Sequence, residues 1–364
     1  MKKIFHMVSN KEWGGGEQYV YDLCQRQRAD GCDVAVFCKP IPAVADRFAS
    51  AGIPVQTLPL TGMLDCKSAW HMSQAVGAAG PCTIHAHNFK DAFTAAYARR
   101  LTANPNVRVV MCRHLTRPGK DSWYYRWLYS QLHCLCFDSD LSRNTFLSTH
   151  PTVDPAKLRV VHTSVVVPPS LQPAPLRQEF GIPADCVVGM FHGRLDPEKG
   201  LDTLIEAAAM LPDRNFRLVL VGRGTDEYTA HLTQLIQEKG LADCVILAGF
   251  RHPVLPFVAA ADFGILPSTV SEGCPLSPQE YMSQAHPVIA TNNGGQVEYI
   301  QHLHNGLLVP PADPIQLTAM LTRLISDNDL RHRLGQQAKA DFDDHLNYEH
   351  FYSQIRLIYE DSLS

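Results

Sequence analysis

The sequence predicts an α/β protein built from two doubly wound, parallel-sheet domains. Three observations predict it. Short apolar runs suited to buried strands alternate with longer amphipathic runs suited to helices, the rhythm of repeated strand-helix-strand units. The rhythm breaks at a proline-rich stretch, Val167-Pro168-Pro169-Ser170-Leu171-Gln172-Pro173-Ala174-Pro175, and restarts beyond it. A chain of 364 residues is also long enough for two cores and unusually long for one.

Taken in order, residues 3–8 read as the first strand, 16–30 as a helix, 33–38 as a strand, 44–51 as a helix and 55–58 as a strand. After the break, residues 187–191, 217–221, 245–248, 263–266 and 288–291 read as strands, with helices at 201–211 and 227–239 between them. Proline fixes φ and removes a donor, so the stretch at 167–175 reads as an extended linker. The first domain is therefore assigned to residues 1–168 and the second to 169–347, with a helical tail at 348–364. Open α/β sheets bind ligands outside the carboxyl ends of their strands, so the two domains are expected to face each other across a ligand cleft.

Composition narrows the class. With 45% hydrophobic and 19% charged residues the chain reads as an ordinary globular protein, and a net charge of -4 gives no reason to propose nucleic acid as a partner. The 11 cysteines are odd in number and scattered without a Cys-x-x-Cys pair, which reads as reduced thiols in a cytosol. The start Met1-Lys2-Lys3 is basic, but the apolar run after it is short and broken by His6, so it reads as a strand and not a signal peptide. No segment is long enough to span a bilayer, which leaves peripheral contact as the expected limit of any membrane association.

The most informative stretch is Ser271-Glu272-Gly273-Cys274-Pro275-Leu276-Ser277-Pro278-Gln279-Glu280, followed by Pro287-Val288-Ile289-Ala290-Thr291 and by Gly294-Gly295 with Glu298 behind. Glu272 lies in a loop and Glu280 where a helix opens. Carboxylates so placed can accept from paired sugar hydroxyls while the N–H groups of Gly273, Cys274 and Leu276 serve an anion. The bland alternative is a loop whose acids cap a helix and face water.

Other stretches carry chemistry of the same kind. Glu12-Trp13-Gly14-Gly15-Gly16-Glu17 joins the first strand to the first helix, where glycines permit close backbone approach to a ligand and a helix N-terminus favours negative charge. His192-Gly193-Arg194-Leu195-Asp196-Pro197-Glu198-Lys199-Gly200 follows a strand, and its Arg and Lys offer the donors a departing diphosphate needs. Val221-Gly222-Arg223-Gly224 and Ala248-Gly249-Phe250-Arg251 each close a strand with small residues. Ile84-His85-Ala86-His87-Asn88 hints at a metal pair but lacks acidic or cysteine partners at ligand spacing, so core or cleft-lining histidines are favoured. Trp123 and Trp127 share a helical face, which is usually a core stripe; contact with an acceptor lipid at a membrane is the other reading.

Together these motifs resemble the retaining glycosyltransferases of the GT4 type, and the resemblance covers almost the whole chain. It implies the GT-B fold, with the C-terminal helix crossing back onto the first domain. It implies a nucleotide-diphosphate sugar, UDP- or GDP-linked, as donor and a hydroxyl of a glycan or lipid-linked acceptor as the second substrate. By the same resemblance Glu280 meets the ribose and Glu272 the sugar, and Arg194 and Lys199 take the donor phosphates. Gly15, Gly16, Gly273, Cys274, Pro275 and Leu276 lie against the donor, Arg251 stands beside the base, and His114, closing Val109-Val110-Met111-Cys112-Arg113, is the active-site histidine of the first domain. No metal or other cofactor is expected, and the setting is the cytoplasm, with peripheral contact at the inner membrane face, in polysaccharide or lipid-linked glycan synthesis. A GT-B-fold binding protein, or an epimerase or phosphorylase, is the alternative class. The chain departs from the family at His162-Thr163-Ser164-Val165, where many members have Asn-Gly and then an acid, and at Ala285-His286, where Gly-Thr is commoner.

Overall fold

The computed structural model describes residues 3–361. The chain divides into two compact units, Met1–His162 with Phe351–Ser364, and Thr163–His350. Each is a parallel sheet covered by helices.

The first unit holds strands β1 (Lys3–Val8), β2 (Asp33–Cys38), β3 (Val55–Thr57), β4 (Cys82–Ala86), β5 (Val107–Arg113), β6 (Cys134–Phe137) and β7 (Leu158–Val160). Their spatial order is β3-β2-β1-β4-β5-β6-β7, every pair parallel. The order reverses between β1 and β4, so a crevice opens beyond their carboxyl ends. All five residues of β4 are buried, as a strand covered by helices on both faces requires. Phe37, Met72, Ile84, Phe93, Leu128 and Phe137 belong to one core cluster.

The second unit repeats the plan with β8 (Val187–His192), β9 (Phe216–Val221), β10 (Val245–Gly249), β11 (Phe263–Leu266), β12 (Val288–Thr291) and β13 (Leu307–Val309). Their order is β10-β9-β8-β11-β12-β13, and here the reversal falls between β8 and β11. Gly189 and Gly264 sit where large rings press on the sheet: a Cβ would lie 2.6 Å from Phe263 and 2.1 Å from Tyr281 respectively.

Two expectations are revised. The proline run is not the boundary; the second unit begins at Thr163, before it. The reason is packing. The Thr163 carbonyl accepts from Gln279 Nε2 at 2.9 Å, Ser164 Oγ donates to the Leu346 carbonyl, Val165 lies in the second unit's core, and Ala174 N–H reaches the Pro256 carbonyl at 2.8 Å. The residues standing in place of the family's Asn-Gly thus anchor the start of the second unit.

The terminal helix runs Tyr348–Asp361, and its residues from Phe351 onward belong to the first unit. Tyr352 donates to Asp30 at 3.0 Å and Tyr359 is buried. On the aromatic helix Trp123–Gln131, Trp127 stacks on Tyr97 at 5.0 Å, whereas Trp123 is 80% exposed. No helix among the described residues is long and apolar enough to cross a membrane.

Candidate active site

In the second unit, the segment leaving β8 is latched to the segment leaving β11. After the turn Pro197–Lys199, Gly200 takes φ +69°, and a Cβ there would fall 2.0 Å from the Pro267 carbonyl oxygen. Only glycine permits both the left-handed backbone and that approach. Thr269 then donates twice to the Glu198 carbonyl, from its N–H at 2.9 Å and its hydroxyl at 3.1 Å. This latch brings Lys199 Nζ within 2.8 Å of Glu272 Oε2, with both side chains 18% exposed. The other carboxylate oxygen of Glu272 accepts from Ser268 Oγ, and its carbonyl accepts from Gly295 N–H at 2.8 Å. The sequence pair Glu272 and Lys199 is therefore one constellation, held across the point where strand order reverses.

Glu280 stands on the helix Leu276–Ser283, and its Oε2 meets Nε2 of His192, the last residue of β8. The other imidazole nitrogen, Nδ1, lies 2.9 Å from the Tyr281 hydroxyl, which itself reaches the Met190 carbonyl at 2.8 Å. A carboxylate can only accept, so Nε2 donates to Glu280, while Nδ1 and the Met190 carbonyl share the one phenol. The imidazole is thereby fixed in orientation, and it fixes Glu280. Sequence reasoning missed His192. It stands beside the recognised Gly-Arg motif, but nothing local links it to a residue 88 positions away.

The remaining residues of this group are placed less tightly. Arg194 is 71% exposed in its side chain and pairs with Asp196 at 3.0 Å. Arg251 pairs with Glu179 at 2.6 Å and lies over the rings of Phe180 and Phe257, each 5.7 Å away. Cys274 is half-buried, with Gln279 Nε2 at 3.3 Å from its sulfur, and Pro275 caps the helix while its carbonyl accepts from Tyr299 at 2.7 Å. Beyond Gly273 and Pro275, the first turn from Leu276 leaves N–H groups without intrahelical partners.

In the first unit, the helix Gly15–Ala29 opens at the glycine turn. Glu17 folds back to accept from Gly14 N–H at 2.9 Å and from the Asn10 amide, and it is buried. Its carboxylate builds the turn. Cβ atoms added to Gly15 or Gly16 would meet nothing within 4 Å, so both glycines face open space.

His114 lines a cavity of about 550 Å³ at the carboxyl ends of β1, β4 and β5. Its ring packs edge-on against Tyr19 at 4.8 Å, and Nε2 lies 3.5 Å from Nδ1 of His87. His87 continues to His6 (3.1 Å) and His6 to Gln27 Oε1 (2.8 Å). Gln27 donates to Tyr359 at 3.1 Å, Tyr359 lies 2.7 Å from His85, and His85 lies 3.0 Å from the Cys112 sulfur. Because Gln27 Oε1 only accepts, neutral rings order their hydrogens towards it, His114 to His87, His87 to His6 and His6 to Gln27, while Gln27 Nε2 donates to Tyr359. Burial pushes His6 and His114 down to about 4 and holds His85 and His87 well below the ordinary histidine range. All four rings are neutral near pH 7, as this ordering needs. Of the described residues, His6, His85 and His87 are the group whose ligand atoms lie close enough to hold a metal ion. Each of their ring nitrogens already faces a protein partner, which an ion would have to displace. The His-x-His pair was legible in sequence, but its partners His6, Gln27 and Tyr359 arrive from β1, the first helix and the last.

The same chain matches two known protein families in tandem. Residues 14–164 match the glycosyl transferase 4-like domain, and residues 174–341 match glycosyl transferases group 1. The lipopolysaccharide core biosynthesis glycosyltransferase LpsE of Rhizobium meliloti is 32% identical over 163 residues, covering 44% of this chain and 46% of that protein. The D-inositol 3-phosphate glycosyltransferase of Acidothermus cellulolyticus is 33% identical over 220 residues, covering 55% of this chain and 48% of that protein. The chain thus spans about half the length of the curated relatives it matches. Among solved structures, Anabaena HepE in complex with UDP and glucose superposes with a TM-score of 0.83 at 22% identity, over 98% of this chain and 99% of that one. A glycosyltransferase of Rickettsia africae gives 0.86 at 17% identity, over 100% of this chain and 98% of that one. At these identities the superpositions speak for the fold, which is GT-B.

Proposed function

Because the chain belongs to the GT4-type glycosyltransferases, we propose that it transfers a sugar from a nucleotide-diphosphate sugar to an acceptor hydroxyl with retention of configuration. The observation that carries this reading is the Lys199–Glu272 contact across the β8/β11 reversal, with Glu280 braced by His192 on the adjoining helix. A cation and two hydroxyl-seeking carboxylates share one strand-end crevice, the chemistry a sugar nucleotide presents.

In this reading the second unit holds the donor. Glu280 accepts from the ribose hydroxyls and Glu272 from the sugar, while Arg251 stands near the base. Arg194, Lys199 and the N–H groups of Gly273, Cys274 and Leu276 meet the diphosphate, whose negative charge grows as the glycosidic bond breaks. Preorganised donors of this kind typically supply roughly 10²- to 10³-fold each in rate. Lys199 exchanges the carboxylate of Glu272 for phosphate as donor enters. His114, neutral at pH 7, positions a sugar or acceptor hydroxyl by hydrogen bonding, and Gly15 and Gly16 leave room for the ligand. No metal takes part. Attack comes from the face the diphosphate leaves, with the departing phosphate assisting, as the resemblance to retaining glycosyltransferases implies.

UDP is the first nucleotide to test, because the structural neighbour HepE is described with UDP and glucose. The relative LpsE is named for lipopolysaccharide core biosynthesis, which supports cell-surface or lipid-linked glycan synthesis at the cytoplasmic membrane face. The deciding experiment is a thermal-shift panel of UDP, GDP, ADP and CDP with wild type and Glu280→Ala. A nucleotide at 100 times its dissociation constant stabilises by about 2.7 kcal/mol. One nucleotide stabilising wild type alone supports the reading, and none doing so overturns it.

A further inference from the structure

The cavity of the first unit is lined by an excess of cations. Its lining includes Lys11, Lys39, Lys90, Arg113, Arg117 and Lys120, and it contains no aspartate or glutamate. Among the described residues, none of these six forms an ion pair with a carboxylate. The chain as a whole carries -4, so the positive charge is a local concentration and not a general property. A concave site lined by one sign of charge focuses its field on a ligand of the opposite sign.

Arg113 makes the case sharper. It ends β5, is 5% exposed, and is wedged between the rings of Phe89 and Phe146. Its Nη2 donates to the Arg117 carbonyl and lies 3.5 Å from that of Pro118, whereas Nη1 is buried with no hydrogen-bond partner. A buried guanidinium donor left unpaired costs free energy, so this cation is kept in place at the floor of the unit at some cost. Asp138 contributes an opposing charge near Arg113 and Asp91 one near Lys39, which leaves Lys11, Lys90, Arg117 and Lys120 as the excess around the cavity. Polar groups that suit a phosphate ester, Ser9, Asn10 and Asn88, share the lining.

We propose that this cavity binds the acceptor through a phosphate or diphosphate group, so that the acceptor is an anionic glycosyl or lipid phosphate and not a neutral glycan. The inference rests on the glycosyltransferase reading for the word acceptor, but the anion site stands on the residues themselves. A dianionic group of tetrahedral oxygens draws in Arg117 and the flexible lysines together, which a neutral hydroxyl-bearing ligand does not.

The test is calorimetric titration of the full chain with inorganic pyrophosphate. It is done in an Arg194→Ala/Lys199→Ala background so that the second unit does not contribute. Lys39→Ala/Arg117→Ala/Lys120→Ala, all at exposed or half-exposed positions, should weaken pyrophosphate by at least about tenfold, the factor for 1.4 kcal/mol. Hydrogen exchange should show protection of residues 111–120 by pyrophosphate in the parent and not in the triple variant. Equal affinity in parent and triple variant, or no binding by the parent, overturns the proposal. UDP binding to the otherwise wild-type triple variant reports the donor reading separately, since it fails only if that reading fails. Two further arms identify the source of the phosphate. Glucose 1-phosphate bound with the same dependence on the three cations marks a soluble sugar phosphate. Co-sedimentation with phosphatidylcholine vesicles only when they carry phosphatidic acid, lost in the triple variant, marks a lipid phosphate.

Discussion

The Tyr281 hydroxyl stands 2.8 Å from the Met190 carbonyl and 2.9 Å from Nδ1 of His192, so a single phenol ties a strand backbone to the imidazole that braces Glu280. Tyr281→Phe removes the hydroxyl that the Met190 carbonyl and His192 Nδ1 share. Stability should fall by about 1–3 kcal/mol, read from urea unfolding, and nucleotide affinity should fall with it. A variant as stable as wild type, with unchanged affinity, would show that the brace is ornamental.

Lys199→Ala removes the cation that Glu272 holds at rest. Turnover should drop by roughly 10²- to 10³-fold, more than donor binding weakens. Single-turnover rates alongside nucleotide titrations separate the two effects. Undiminished turnover would falsify the role given to Lys199.

Gly200→Ala forces a side chain into a left-handed residue whose Cβ would sit 2.0 Å from a carbonyl oxygen. Strain of this kind costs about 1–3 kcal/mol. The latch to Pro267 and Thr269 should loosen, lowering both the melting temperature and transfer rate. Gly240→Ala is the control: its φ is +62° but nothing lies within 4 Å of the added Cβ, so it should cost less.

The protein should be acid-labile. Burial lowers His6, His114 and His133 to about 4, and holds His85 and His87 well below the ordinary histidine range. Each takes its proton only on unfolding, so the unfolded state binds more protons as pH drops below 6.5, and stability is lost from there towards 4. Asp22 and Asp91, which burial raises to about 6, act in the opposite sense, because the folded state accepts their protons first. Five histidines outweigh two carboxyls. His6 alone contributes up to about 1.4 kcal/mol for each pH unit. Urea midpoints measured downward from neutrality should decline. A flat profile would mean the rings are protonated in place.

The fold was largely legible because buried parallel strands are short, nearly continuous apolar runs. The strands expected at 187–191, 217–221, 245–248, 263–266 and 288–291 appear as Val187–His192, Phe216–Val221, Val245–Gly249, Phe263–Leu266 and Val288–Thr291. The proline run misled because proline forbids regular structure without forbidding packing; Ala174 and Leu176 lie against the second unit although their neighbours cannot join a ladder. In the site, residues set by local turns were readable, as with Lys199 beside Gly200. The bracing of Glu280 by His192, the neutral ring chain through His6 and Tyr359, and the convergence of Lys11, Lys39 and Arg113 were not. Each depends on which strand ends become neighbours, and no local pattern in the chain records that.

The chain's last helix completes the first unit, with Tyr359 bridging Gln27 and His85 in its interior. On the ribosome this imposes an order of events. Thr163–His350 is contiguous and can close its own sheet as it emerges, whereas the earlier-made unit must wait, its histidine chain broken at one link, until the helix Tyr348–Asp361 has emerged. The first unit to be synthesised is therefore the last to be finished.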